Sequence, residues 1–85
     1  MDEIEKIVME IVNEITLSNY LYRDVKTMGL EELGFDSLKF VGFIVAIEEK
    51  LNVDLDLLEG AEMKDLESII KYVYKRVNDR FKVEI

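Results

Sequence analysis

The chain has 85 residues, of which 11 are Lys or Arg and 19 are Asp or Glu, for a formal net charge of −8. It contains neither cysteine nor histidine, which excludes a disulfide framework, zinc sites built from thiolates and imidazoles, and Ser-His or Cys-His nucleophile pairs. Asp, Glu, Lys, Tyr and Ser remain, but so small a core leaves little room to bury one of them and shift its pKa, so intrinsic catalysis is not expected.

The charge is unevenly spread. Residues 1–60 hold 14 acids and 5 bases, whereas residues 61–85 hold 5 acids and 6 bases. A field of that sign repels nucleic acid and anionic membranes and steers the chain toward basic protein surfaces. The amino terminus, MDEIEKIVMEI, is acidic and amphipathic, unlike a signal or transit peptide. The longest apolar run, Phe40 to Ile47, is far too short to cross a bilayer. A single domain over residues 1–85, monomeric, cytoplasmic and not inserted in a membrane, is the expectation.

The first predicted element is a helix from about Glu3 to Thr16. Ile4, Ile7, Val8, Ile11, Val12 and Ile15 recur at helical spacing on one stripe, with Glu5, Glu10 and Glu14 facing outward. Asp2 is placed to cap it, with Glu5 three residues on. Residues 17–35 have no sustained period and contain Ser18, Asn19, Asp24, Gly29 and Gly34, so they read as a long ordered loop of the kind that tends to carry function. Leu17, Leu21, Tyr22, Val25, Leu30 and Leu33 are the residues expected to pin it over the core.

A second helix is predicted from Asp36 or Ser37 to about Leu51. Leu38, Phe40, Val41, Phe43, Ile44, Val45 and Ile47 make it apolar on more than one face, whereas a half-wet helix needs a stripe of only about 100°. Such a helix is either central to the core or presents an apolar face to a partner. Residues 54–62 read as a short connection holding one helical turn. A last helix starts near Asp65 as cap and runs to about Arg80, with Leu66, Ile69, Ile70, Val73 and Val77 inward. Lys75, Arg76 and Arg80 in its last turns suit the negative end of the helix dipole. The sum is an all-α bundle of three to four helices with a long loop between the first two.

One motif carries chemistry. In Leu33-Gly34-Phe35-Asp36-Ser37-Leu38, Gly34 permits a tight backbone path, Asp36 can cap the following helix, and Ser37 falls in its first turn with a hydroxyl available to solvent. A phosphoryl group on that hydroxyl would sit near unpaired backbone N–H groups and the positive end of the dipole. G-x-D-S arises by chance at roughly 2 in 10,000 positions, so its place at a predicted loop–helix junction is informative.

This stretch resembles the prosthetic-group attachment motif of acyl and peptidyl carrier proteins, whose core is Gly-x-Asp-Ser followed by Leu or Ile. The likeness covers nearly the whole chain, through Ala46-Ile47-Glu48-Glu49-Lys50-Leu51 at the end of the second helix and Lys64-Asp65-Leu66 at the start of the last. The resemblance implies that a phosphopantetheinyl transferase, using coenzyme A and magnesium, attaches 4′-phosphopantetheine to Ser37, with Gly34, Asp36 and Leu38 shaping the attachment site. It further implies an acyl or aminoacyl cargo held as a thioester and passed between acyl-loading ligase and synthase enzymes of fatty-acid, polyketide or related biosynthesis. Leu38, Val41, Val45, Glu48 and Glu49 match partner-facing positions, while Phe43, Ile44 and Ile47 match inward ones. Lys39 and Gly42 depart from the pattern, standing where many fatty-acid carriers have acids, which makes the recognition face less acidic. A carrier-like helical scaffold without thioester cargo is the alternative.

Other signals are weaker. Asp54-x-Asp56 opens like a calcium loop, but Leu58 occupies the third ligand position. Tyr20, Tyr22, Tyr72 and Tyr74 have no basic patch beside them and read as core edge and surface. Met9, Met28 and Met63 read as gap-filling core residues.

Overall fold

A computed structural model describes residues 2–82, with side chains from Glu3 to Asp79. Three long helices, α1 (Asp2–Thr16), α3 (Ser37–Leu51) and α5 (Leu66–Lys82), are joined by segments holding two short ones, α2 (Tyr22–Val25) and α4 (Leu57–Glu62). α1 packs on both α3 and α5, and α4 packs on α3. The expected cap at Asp2 and the charge of Arg80 lie outside the described side chains.

The core follows the helical periods. Ile4, Val8, Ile11 and Val12 of α1 meet Phe43, Ile44 and Ile47 of α3 and Leu66, Ile69, Ile70 and Val73 of α5, all buried in one cluster. Met9 belongs to the same cluster, with Met28 and Met63 partly buried against it. Val77, expected in the stripe of α5, is likewise only partly buried.

α1 ends where Leu17 takes a left-handed backbone (φ 55°) and the Ser18 N–H donates to Asn13 O at 3.0 Å. The Asn13 side chain then clamps the turn, donating to Tyr20 O at 3.1 Å and accepting from Tyr20 N at 2.8 Å. This reversal turns Leu17 outward, where it is 92% exposed, and leaves Leu21 52% exposed. Those two leucines therefore do not pin the loop. Val25 and Leu33 do so from buried positions, and Tyr22 and Leu30 pack against the core. The segment is also not wholly irregular, since Tyr22–Val25 forms α2. Burial, with the nearby carboxylates of Glu67, Glu5 and Asp65, pushes the Tyr22 phenol up.

The start of α5 anchors the loop. A helix leaves its first four N–H groups without intrahelical acceptors. Here Leu66 N donates to Met28 O at 3.1 Å and Glu67 N to Lys26 O at 2.9 Å, both in the loop. Ser68 N donates to the Asp65 carboxylate at 2.9 Å, and Ile69 N to Asp65 O at 3.2 Å. The bond from Ile69 N is the helix's own first i→i−4 bond, and the three donors before it are satisfied, two of them by the segment that leads to the motif.

The far end is tied similarly. α3 stops at Asn52, left-handed at φ 54°, and the chain then leaves the helix with Val53 and Leu55 inward. Asp56 caps α4, accepting from Leu58 N and Glu59 N, while its own N–H donates to the Tyr72 hydroxyl at 2.7 Å. The carboxylate that resembled a calcium ligand is thus a helix cap.

The side-chain and backbone hydrogen bonds from Ser68 hold the Asp65 carboxyl below the usual carboxylate range, with Lys71 adding a smaller attraction. A lowered folded-state pKa means that this stabilisation is fully present above the unfolded carboxyl pKa and is lost as pH falls through the folded value. Asp65→Ala is expected to destabilise by about 1 kcal/mol at pH 7. In urea titrations the gap between variant and wild type should stay constant down to about pH 5 and narrow below about pH 4. A gap that persists unchanged at acid pH would mean that the charged cap is not its source.

Candidate functional site

The approach to Ser37 is built from a helical turn closed by glycine. Phe35 N donates to Leu30 O at 3.0 Å and Gly34 N to Glu31 O at 3.1 Å, the paired bonds of a Schellman motif. The residue at its turning point needs positive φ, and Gly34 supplies it at 99°. A Cβ there would meet no atom within 4 Å, so the demand is conformational rather than steric crowding. The turn aims both neighbours inward: Leu33 is 3% and Phe35 6% exposed. The Phe35 ring meets Phe43 of α3 edge to face, with centroids 5.3 Å apart and planes at 71°.

Asp36 follows with extended backbone and caps α3, its Oδ1 accepting from Lys39 N at 2.8 Å. Ser37 is the first residue of α3 and is exposed. The N–H groups of Ser37 and Leu38 open the helix and have no intrahelical acceptors, so they are free to receive an anion at that end of the dipole. Beside the serine lies a groove of about 810 Å³ between the turn at residues 29–37 and α4, whose lining includes Phe35, Phe40 and Met63. The environment suits a phosphodiester tether on the hydroxyl.

Down α3, Leu38 is 80% exposed and Val41 and Val45 are each 42% exposed. Their spacing puts them on one helix face, continued by Gly42 and Glu49, both exposed. The site residues thus form two groups, the motif at the start of α3 and this strip along it. Glu48 turns elsewhere: it is half-buried and accepts from Leu55 N at 2.9 Å, helping to hold the chain after α3. Glu48 and Glu49 also border a second groove of about 670 Å³ with Asp54, Arg76 and Asp79. Lys39 is exposed one residue beyond Leu38.

Two contributors were not picked out from sequence. Phe35 is a core anchor of the motif, signalled only by its place two residues after Leu33 across a glycine. Gly60 is a buried helical glycine whose Cβ would lie 3.2 Å from Phe40 Cζ. A glycine inside a helix usually has a packing reason, and that rule was the available signal.

A bundle whose central helix begins with a capped, exposed serine has the architecture of a small carrier domain. The family described as "Phosphopantetheine attachment site" matches residues 8–73. The acyl carrier proteins of Rickettsia typhi and Rickettsia prowazekii are each 31% identical over 75 residues, covering 88% of this chain and 87% of each relative. That of Campylobacter lari is 25% identical over 72 residues, covering 85% of this chain and 88% of the relative. No solved structure matches significantly. The chain belongs to the acyl carrier protein family, whose cofactor is covalently attached 4′-phosphopantetheine. Its role is that of a carrier, acted on by a phosphopantetheinyl transferase and by partner biosynthetic enzymes. Among the described residues no helix is long and apolar enough to cross a membrane.

Gly34→Ala is expected to cost about 1–2 kcal/mol in chemical denaturation, because the positive φ strains any L side chain. A variant as stable as wild type would show that the turn has another conformation within reach.

Proposed function

We propose that Ser37 is the attachment residue, and that the chain acts as one cytoplasmic carrier domain holding an acyl or aminoacyl group for enzymes of fatty-acid, polyketide or related biosynthesis. The observation that carries the reading is the exposed Ser37 hydroxyl at the first position of a helix capped by Asp36. In the transfer, Ser37 Oγ attacks the phosphorus next to the pantetheine of coenzyme A. The new Oγ–P bond replaces the pyrophosphate P–O bond, adenosine 3′,5′-bisphosphate leaves, and the serine proton passes to a base on the transferase. No base is required within this chain, since the serine is only the acceptor. The cofactor supplies a thiol on which cargo is carried as a thioester.

Each residue of the motif has a part in that transfer. Gly34 sets the turn, Asp36 fixes the helix start and thereby the serine, and the free N–H groups of Ser37 and Leu38 receive the phosphodiester charge. Leu38, Val41 and Val45 form the apolar centre of the partner-facing strip, with Glu49 at its end and Glu48 beside it. Lys39 and Gly42 reduce the negative charge of that strip, which supports a specialised partner set.

Incubation with a promiscuous phosphopantetheinyl transferase, coenzyme A and magnesium is expected to add one phosphopantetheinyl group by mass, and Ser37→Ala to abolish the addition. A wild-type chain left unmodified while a control carrier is loaded would instead favour the scaffold reading.

Val41→Asp tests the recognition strip. With Val41 42% exposed, the substitution should leave far-ultraviolet circular dichroism unchanged while slowing modification by the transferase about tenfold, the equivalent of roughly 1.4 kcal/mol. Unchanged transfer kinetics would remove Val41 from the recognition surface, and loss of helicity would return it to the core.

A further inference from the structure

The groove beside Ser37 has a floor with an unusual construction. Phe40 lies one turn after Ser37 on α3 and so shares its face. Its ring is half-buried and lies against α4 at Gly60, where a Cβ would come within 3.2 Å of Phe40 Cζ and 3.4 Å of Ile44 Cδ1. Glycine lets the aromatic ring rest directly on the α4 backbone. Below it the packing is closed by Ile44, at 1% exposure, and by Phe43 and Ile47, at 0%.

This arrangement bears on any group carried at Ser37. A tethered group meets the neighbouring groove at high effective concentration whatever its intrinsic affinity. An apolar group would gain by leaving water, and the seam between α3 and α4 is the route inward next to the serine. Phe40 occupies that seam. Passing it means displacing a ring packed against the core and entering a close-packed interior, and overpacked cores resist added methylenes. The open side of the groove, by contrast, gives the half-buried ring of Phe40, backed by Phe35, and the flexible thioether of Met63, a lining that accepts a flat or short apolar group.

We infer that Phe40, seated on Gly60, is the specificity-determining residue of the cargo site. It forms the floor on which a short acyl or aromatic group carried through Ser37 lies, and it bars a long acyl chain from the interior between α3 and α4. The inference rests on the carrier reading above and names the cargo class that this chain's own packing selects.

The test loads the full chain with non-hydrolysable thioether analogues of acetyl-, benzoyl-, octanoyl- and dodecanoyl-coenzyme A, with mass spectrometry confirming attachment. Methyl NMR then compares Leu30 and Met63, which line the groove, with Ile47, Ile69 and Val73, which are fully buried. In the wild-type protein the groove signals should shift with the acetyl and benzoyl cargoes. The buried signals should hold their positions from acetyl to dodecanoyl, and the melting temperature should not rise with chain length. Phe40→Ala should reverse this, with buried methyls moving progressively and the melting temperature rising for octanoyl and dodecanoyl. Phe40→Leu, which keeps most of the buried apolar surface, gives the same comparison at smaller amplitude should the alanine variant fail to fold. Buried methyls of the wild-type protein that move with chain length, or groove methyls that ignore every cargo, overturn the inference while leaving the carrier reading intact. Absence of any mass gain overturns the carrier reading and this inference with it.

Discussion

The pairing between the amino-terminal N–H groups of α5 and the carbonyls of Lys26 and Met28 is the constraint on which the rest of the site depends. A long connection running over a small core has many backbone polar groups to satisfy and few neighbours to satisfy them. A helix start has the opposite excess, with donors and no acceptors. Placing the two against each other settles both accounts with two hydrogen bonds. It also fixes where the connection crosses α5, close enough that a Cβ at Gly29 would come within 3.1 Å of Lys64 O. Everything from Gly29 to Ser37 is then built outward from a fixed point.

From that point the chain reaches the serine through two local devices in series. The Schellman turn at Gly34 reverses the backbone, and the Asp36 cap starts α3. Neither is strong alone, each being of the order of 1 kcal/mol. Their effect is to leave little freedom in the one residue that has to be exposed. Leu33 and Phe35 on either side of the glycine are buried, so the motif is held from below by packing and from within by hydrogen bonds. With attachment at Ser37 as proposed, a modifying enzyme would meet a hydroxyl on a rigid helix start, beside N–H groups that have no intrahelical acceptors.

Much of this was legible in the sequence, and the pattern of what was not is informative. The three long helices followed from their apolar periods, and the caps at Asp36 and Asp65 followed from residue type before a periodic run. The inward set of α3, Phe43, Ile44 and Ile47, agrees with its burial. What escaped depended on backbone conformation at turns and on contacts that helical periodicity does not encode. Leu17 and Leu21 looked like loop anchors by hydrophobicity, yet the left-handed turn at Leu17 and the Asn13 clamp direct them outward. Glu48 looked like surface charge, yet Leu55 uses one of its oxygens. Gly60 carries no signal in the apolar periodicity, and its meaning appears only when Phe40 is placed on it. Periodicity reports which face of an element is apolar. It does not report backbone handedness at a turn, nor which of two neighbouring acids is taken by the chain itself.

The charge and the exposed strip on α3 are best understood together. Leu38, Val41 and Val45 expose apolar surface along one helix face, and on an uncharged domain such a patch invites self-association. A net charge of −8 on 85 residues opposes the approach of a second copy. The same field would draw in a partner with a basic rim around an apolar pocket, so that one charge distribution would both suppress the wrong contact and accelerate the proposed one. Lys39 beside the strip and Gly42 within it keep negative charge low where partner and carrier would be in contact, without changing its sign over the rest of residues 1–60. On the proposed partner-facing role of this strip, long-range attraction and short-range selection would be separated: the body of the domain would set how quickly basic partners arrive, and the few residues beside Leu38 and Val41 which of them stay.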